Sequence, residues 1–365
     1  MSAPDAHDLD APVGDSDPLG ILATAEASLA HFDAARADVE RLEIPYPPTA
    51  VRNVAVCGMG GSAIAADLVA GAYSERLRVP MATIRDYRLP GWVGEDTLVI
   101  LSSYSGTTEE TLTCALDATD RGALCVALTS GGKLAERYGA EDGVPTLVLP
   151  GGLQPRAALL RSLVPLVVVL ERMGVIPAHA HELDEARETI AGAVAALGPA
   201  APTASNPAKQ LAVLLRGHLP IIWGGELTAA VAVRWKGQIN ENAKLPAMVG
   251  VLPELDHNEI CGFEGVAELG LRPRVVMLRD PRHHPQILRR MDLTRSLVEP
   301  HVAGVSDVTA EGDGALARML DLVMMGDYTS IYLALARRVD PGAIDLIHRL
   351  KDGLATAPFG RTAAS

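Results

Sequence analysis

Two turns in the first half of the chain carry side chains suited to holding an anion. The first, Gly58-Met59-Gly60-Gly61-Ser62-Ala63, follows the apolar run VRNVAVC and opens the helical pattern SAIAADLVAGAY. Glycines there let the backbone approach a ligand, and a helix start offers unpaired N–H groups and the positive end of a dipole. The same residues, Gly58-x-Gly60-x-x-Ala63 with Asp86 closing the next strand, also fit a dinucleotide-binding fingerprint. A tight strand-to-helix turn that holds nothing is the third reading. The second turn sets the hydroxyls of Ser102, Ser103, Ser105, Thr107 and Thr108 around Gly106, again between a strand and a helix. A phosphomonoester presents three terminal oxygens that need many donors in a small space, whereas a pyrophosphate in a Rossmann-type turn relies on close glycine approach. A threonine capping the following helix accounts for one of these hydroxyls and leaves the others over.

Positioning such turns requires a sheet. From Val51 onward short apolar runs (VRNVAVCG, PMATIRDY, DTLVILSSYSG, ALCVALTSG, VPTLVLPGG) alternate with helical patterns, which predicts an α/β domain with a doubly wound, mainly parallel sheet flanked by helices. Ahead of it, residues 1–44 read as a polar tail and a leading helix over 19–42, and the first domain takes residues 45–175. A helix over 155–174 is expected to kink at Pro165, and another follows at 182–197. Residues 176–208 then form a helix and a linker ending in GPAAPTASNPA, and 209–365 form a second domain of the same design. Its expected strands are LPIIWGG, RVVMLRD and HVAGVSDV, with helices at TAAVAVRWKGQINENA, 285–298, 315–339 and 343–354.

Composition narrows the function. The 365 residues include 45 Asp+Glu against 32 Lys+Arg, a formal charge of −13, which argues against a nucleic-acid binder or an anionic-membrane binder. With 48% hydrophobic residues the chain has ample side chain to bury. The N-terminal stretch has no basic segment followed by an apolar one, and the apolar run at 163–170 is too short to span a bilayer, so the expectation is a cytoplasmic protein without a membrane segment. Cys57, Cys114, Cys125 and Cys261 lack metal-site spacing and are expected as buried thiols, and His283-His284 reads as a loop rather than a metal pair.

Two segments carry a family resemblance. SSYSGTTEET resembles the phosphosugar-binding loop of sugar isomerase (SIS) domains, and ENAKLPAMVGVLPELDHNEICGFEG resembles the catalytic stretch of the bifunctional phosphoglucose/phosphomannose isomerases, a likeness extending over about residues 45–355. The resemblance implies two SIS-type domains in a homodimer, with an active site in the domain cleft that the neighbouring subunit completes. It implies that Gly61 and Ser62 form the first substrate loop, and that Ser103, Ser105 and Thr108 contact the phosphate of a hexose 6-phosphate. It assigns Arg156 to steadying an enediolate, Glu241 to proton transfer, and His257 and Lys351 to ring opening, with His257 reaching across from the other subunit.

The chemistry suits these residue types. Converting an aldose phosphate to a ketose phosphate removes a proton beside a carbonyl and returns it to the neighbouring carbon, which one carboxylate performs. The intermediate carries charge on oxygen, where a fixed cation stabilises it. A histidine titrating near neutrality moves the ring-opening proton. Neither metal nor redox cofactor is required. Without the flanking stretches, Glu241 reads as an exposed helix-end acid, His257 as a loop histidine, and Lys244 as a residue of open role. One departure stands out: the family threonine before the last helix is missing from Asp340-Pro341-Gly342-Ala343-Ile344, which would enlarge the pocket beside the sugar and alter tolerance of the two C2 epimers.

Two other functions compete: a sugar-phosphate-binding regulatory protein without turnover, and a nicotinamide-dependent oxidoreductase resting on Gly58-x-Gly60 and Asp86 alone. Calorimetric titration separates the last from the rest. Fructose 6-phosphate is expected to bind and NAD to give no heat above dilution; saturable NAD binding with no sugar-phosphate binding would reverse that choice.

Overall fold

The structure, a computed structural model, describes residues 8–178 and 180–355. The N-terminal segment folds as two helices, α1 (Ile21–Glu26) and α2 (Ser28–Val39), where the sequence pattern suggests one. The start is fixed late because the Asp17 carboxylate accepts hydrogen bonds from Ile21 N (2.9 Å) and Leu22 N (2.7 Å), with Gly20 left-handed just before. The first sheet follows: β1 (Asn53–Cys57), α3 (Gly60–Ala72), β2 (Met81–Ile84), β3 (Thr97–Ser103), α4 (Glu109–Asp120), β4 (Leu124–Thr129) and β5 (Thr146–Val148). All neighbouring strands pair in parallel in the order β2-β1-β3-β4-β5. Every residue of β3 is buried, which is why its sequence is an unbroken apolar run rather than an alternating one.

Three helices link the halves: α5 (Leu159–Arg172), which runs through Pro165, then α6 (Ala180–Leu197) and α7 (Pro207–Leu215). The stretch expected as a linker connects α6 to α7 as a packed joint. Asn206, wholly buried, caps α7 by accepting from Ala208 N and Lys209 N and donates to Leu197 O. Lys209, also fully buried, ion-pairs with Asp10 at 2.9 Å and donates to the carbonyls of Pro199 and Ala201. A stretch of Pro, Ala and Ser thus loses its freedom to a few buried hydrogen bonds.

The second sheet comprises β6 (Leu219–Gly225), α8 (Leu227–Ala243), β7 (Met248–Leu252), β8 (Pro273–Arg279), α9 (Pro285–Val298) and β9 (Val305–Thr309), in the parallel order β7-β6-β8-β9. Strand β7 lies inside the family-like stretch and was not expected as a strand. Two helices end the described chain, α10 (Ala315–Ala336) and α11 (Asp345–Ala355). Helix α10 is long and apolar enough to cross a membrane, yet it is buried inside the protein. Of the cysteines, Cys57, Cys114 and Cys125 are buried as expected, while Cys261 is exposed.

One hydrophobic core runs through both halves, joining Val54, Leu68 and Leu163 to Trp235, Leu316 and Tyr328. Its seam is α3 against α8, and the two helices run in opposite directions: Gly71 near the end of α3 meets the start of α8 at Leu227, while the start of α3 faces the end of α8. Helix α8 also packs on α10, where the indole of Trp235 fills the space over Gly326 and donates to Leu322 O at 2.8 Å. A β-carbon at 326 would enter that ring. Gly326→Ala is therefore expected to lower the urea midpoint without changing the slope, a cost of about 1–3 kcal/mol; a wild-type midpoint would show that the indole has room to move.

Candidate active site

The first parallel sheet places its functional turns at the carboxyl ends of strands, where the strand order reverses. In the first sheet that point lies between β1 and β3, and both anion-suited turns are there. They touch: a β-carbon on Gly58 would come within 2.7 Å of Ser102 O, so only glycine permits the approach. The hydroxyls form a connected group. Ser103 Oγ and Thr108 Oγ1 are 2.9 Å apart, Ser105 Oγ lies 3.5 Å from Thr108 Oγ1, and Ser62 Oγ accepts from Tyr104 N at 3.3 Å. Ser103 and Ser62 are buried and shape the turn, Ser103 also accepting from Gly106 N at 3.1 Å. Ser105 is exposed and Thr108 half-buried at its mouth. Thr108 stands at the N-cap position of α4 without using its side chain as a cap. Its hydroxyl faces the other hydroxyls instead of the helix.

The next residue along α3 ties this turn to a charged pair. A β-carbon on Gly61 would come within 2.6 Å of Pro155 O and 3.5 Å of Arg156 Cα, so the single turn carrying Arg156 rests directly on Gly61. Arg156 is only 4% exposed, and its Nη1 lies 3.6 Å from Glu241 Oε2. Glu241 reaches this place from the last turn of α8, brought there by the opposed packing of α8 on α3. Together Gly60, Gly61, Arg156, Gln238 and Glu241 line a cavity of about 190 Å³ between the halves. Two larger cavities, about 650 and 510 Å³, lie elsewhere and contain neither Arg156 nor Glu241, so chemistry and not size locates the site.

Arg156 is held by groups that sequence reasoning did not single out. Its Nε donates to Asn242 Oδ1 at 2.7 Å, and its Nη2 donates to Pro341 O at 2.6 Å and Gly342 O at 3.2 Å. Hydrogen bonds from a charged donor contribute about 1.5–3 kcal/mol each, enough together to offset much of the desolvation. Among the described residues Nη1 has no hydrogen-bond partner. Burial pulls the guanidinium below its usual range, while Glu241, Asp340 and Asp17 raise it; an arginine stays protonated regardless. Behind Arg156, Arg234 donates to its carbonyl at 3.2 Å and grips Asp327 with two bonds, which Gln238 joins at 3.0 Å. Arg234, Gln238 and Glu241, spaced four and three residues apart, share one face of α8, a spacing visible in the sequence. Lys244, left-handed at the end of α8, donates to the carbonyls of Glu241, Asn242 and Pro341, so it clamps the helix end to the Pro341 turn.

Two expected residues stand apart within this chain. His257, exposed at the end of the short helix Glu254–His257, and Lys351, exposed on α11, do not border the cavity of Arg156 and Glu241. Gly342 also differs from expectation: the space its missing side chain would take belongs to Leu19, whose Cβ would lie 2.8 Å away, so the absent threonine does not open a pocket. Asp86, the acid of the rival dinucleotide reading, accepts from its neighbour Tyr87 N at 2.6 Å.

Two parallel α/β units, with a hydroxyl turn at one switch point and a carboxylate and arginine at the seam, define a phosphosugar isomerase-like protein of the double SIS type. A sequence description of the bacterial phospho-glucose isomerase C-terminal SIS domain matches residues 204–354. The bifunctional phosphoglucose/phosphomannose isomerase of Caldicellulosiruptor bescii is 41% identical over 84% of this chain and 90% of its own, and that of Aquifex aeolicus is 35% identical over 84% and 91%. A crystal structure of a glucose-6-phosphate isomerase like protein from Thermus thermophilus superposes with a TM-score of 0.62 at 23% identity, covering 94% of this chain and 99% of that one. The chain belongs to the bifunctional phosphoglucose/phosphomannose isomerase family.

The contact between Gly61 and the Arg156 turn is directly testable. Gly61→Ala is expected to weaken fructose 6-phosphate binding at least about tenfold in calorimetry, the scale of about 1.4 kcal/mol. Gly71→Ala, whose β-carbon meets only an ordinary 3.6 Å contact, is expected to bind as wild type. Equal affinities for all three proteins would remove Gly61 from the site.

Proposed function

We propose that this protein interconverts glucose 6-phosphate, mannose 6-phosphate or both with fructose 6-phosphate, by moving a proton between C1 and C2 through an enediolate. The observation that carries this reading is the buried Arg156 guanidinium, its Nη1 without a hydrogen bond among the described residues and 3.6 Å from Glu241 Oε2. Ser105 and Thr108, with the backbone of their turn and of residues 61–62, hold the phosphate. That anchor sets the sugar carbons against Glu241, whose carboxylate takes the proton from one carbon and returns it to the other. Arg156 meets the oxygen charge as it develops; being already fixed, it reorganises little during the reaction.

Ring opening falls to His257, supplied to this cavity by a second copy of the chain in a homodimer, and to Lys351. Support for the second copy comes from the absence of His257 from the lining of the Glu241 cavity within one chain, and from α11, which leaves Leu346, Leu350 and Leu354 exposed along one face. The two domains are taken as residues 45–175 and 209–365. Three buried free thiols suit a reducing compartment, and the proposed location is the cytoplasm.

Glu241→Gln keeps the shape of the side chain and removes the base. It is expected to bind fructose 6-phosphate within a few-fold of wild type while kcat falls by about 10³ or more; near-normal kcat would reject Glu241 as the base. Mixing Glu241→Gln with His257→Ala subunits is expected to restore part of the activity in heterodimers. Proven subunit exchange with no recovery would reject a shared site.

A further inference from the structure

We infer that Asn242 is a positioning residue for Arg156, placed there as a neutral acceptor so that the guanidinium meets the reaction with its charge unspent. This rests on the isomerase reading and adds a residue to it. The orientation of the amide is fixed from both sides. Arginine Nε–H only donates, so the atom facing it at 2.7 Å is the amide oxygen of Asn242. Its Nδ2 then donates to Ser330 Oγ at 2.9 Å, and that hydroxyl donates to Asp327 O at 2.7 Å. Asn242 and Ser330 are wholly buried, so water cannot substitute for either contact.

The choice of amide over carboxylate carries the argument. Among the described residues, every acceptor that Arg156 reaches by hydrogen bond is uncharged: the Asn242 amide and the carbonyls of Pro341 and Gly342. A carboxylate does exist in the same network, but Arg234 takes both oxygens of Asp327 and Gln238 joins one of them. Arg156 and Arg234, both buried, are therefore treated differently. Arg234 is neutralised and structural, whereas Arg156 keeps its charge, and the acid that it approaches, Glu241, is the reacting one. Adjacent positions on α8 divide the work: Glu241 faces the cavity, and Asn242 turns inward toward α10 to aim the cation.

Asn242→Asp preserves size and the acceptor while adding a charge next to the guanidinium. Its kcat for fructose 6-phosphate is expected to fall about 10²–10³-fold, the usual loss when a preorganised transition-state contact is spoiled. KM should stay within about threefold and the urea midpoint near wild type, since ground-state binding runs through the hydroxyl turn. Ser330→Ala is the second variant. It changes no charge but frees the amide to turn, and kcat is expected to fall about tenfold at constant KM. Wild-type kcat in the Asn242→Asp variant would overturn the inference, as would a loss of kcat in either variant accompanied by an equal rise in KM and a lower midpoint, the signature of a merely structural residue. A wild-type chain that fails to turn over fructose 6-phosphate would overturn the isomerase reading and this inference with it; an active wild type with a fully active Asn242→Asp variant overturns the inference alone.

Discussion

The guanidinium of Arg156 is almost entirely withdrawn from water, and the rest of the site is arranged around keeping it charged there. A buried cation needs acceptors, but an acid as acceptor would neutralise it before any substrate arrived. The protein resolves this with an amide and two backbone carbonyls, leaving one nitrogen that, among the described residues, makes no hydrogen bond and lies 3.6 Å from Glu241 Oε2. The carbonyls come from the Pro341 turn, which Lys244 ties to the end of α8, so the carboxylate and the cation share one support. Leu19 packs over Gly342 on the far side of that turn, which brings the N-terminal segment into the same assembly.

Architecture supplies the alignment. Two parallel sheets, each reversing its strand order once, are joined through α3 and α8 rather than through a hinge. Because those helices run in opposite directions, the start of one and the end of the other meet, and Gly61 and Glu241 become neighbours although they stand in different halves of the chain. A continuous core across the seam holds that geometry; a flexible linker would not.

The first sheet was readable because β3 is buried on both faces and so writes its location as an apolar run, and because the hydroxyls of the following turn exceed what helix capping needs. Strand β7 was hidden by its short, partly exposed span among loop-like residues. Pro, Ala and Ser mark the connection between α6 and α7 in the sequence, and only the fold reveals Asn206 and Lys209 pinning it from inside. The family resemblance pointed to Arg156 and Glu241. What holds them was not legible, since Asn242 and the Pro341 carbonyl meet Arg156, and Asp327 meets Arg234 behind it, only after α8, α10 and the last loop have packed. Gly342 shows the opposite risk: an absent side chain in the sequence became an expected cavity, and the structure fills it with Leu19.

Solvent exchange during turnover tests the proton-transfer account most directly. The protein is incubated with fructose 6-phosphate in deuterated water and the aldose phosphates formed are examined for label at C2. A carboxylate that shuttles protons exchanges with solvent, so deuterium at C2 in glucose 6-phosphate, mannose 6-phosphate or both is the predicted result. Full conversion with no deuterium at C2, as a direct hydride shift would give, would contradict it.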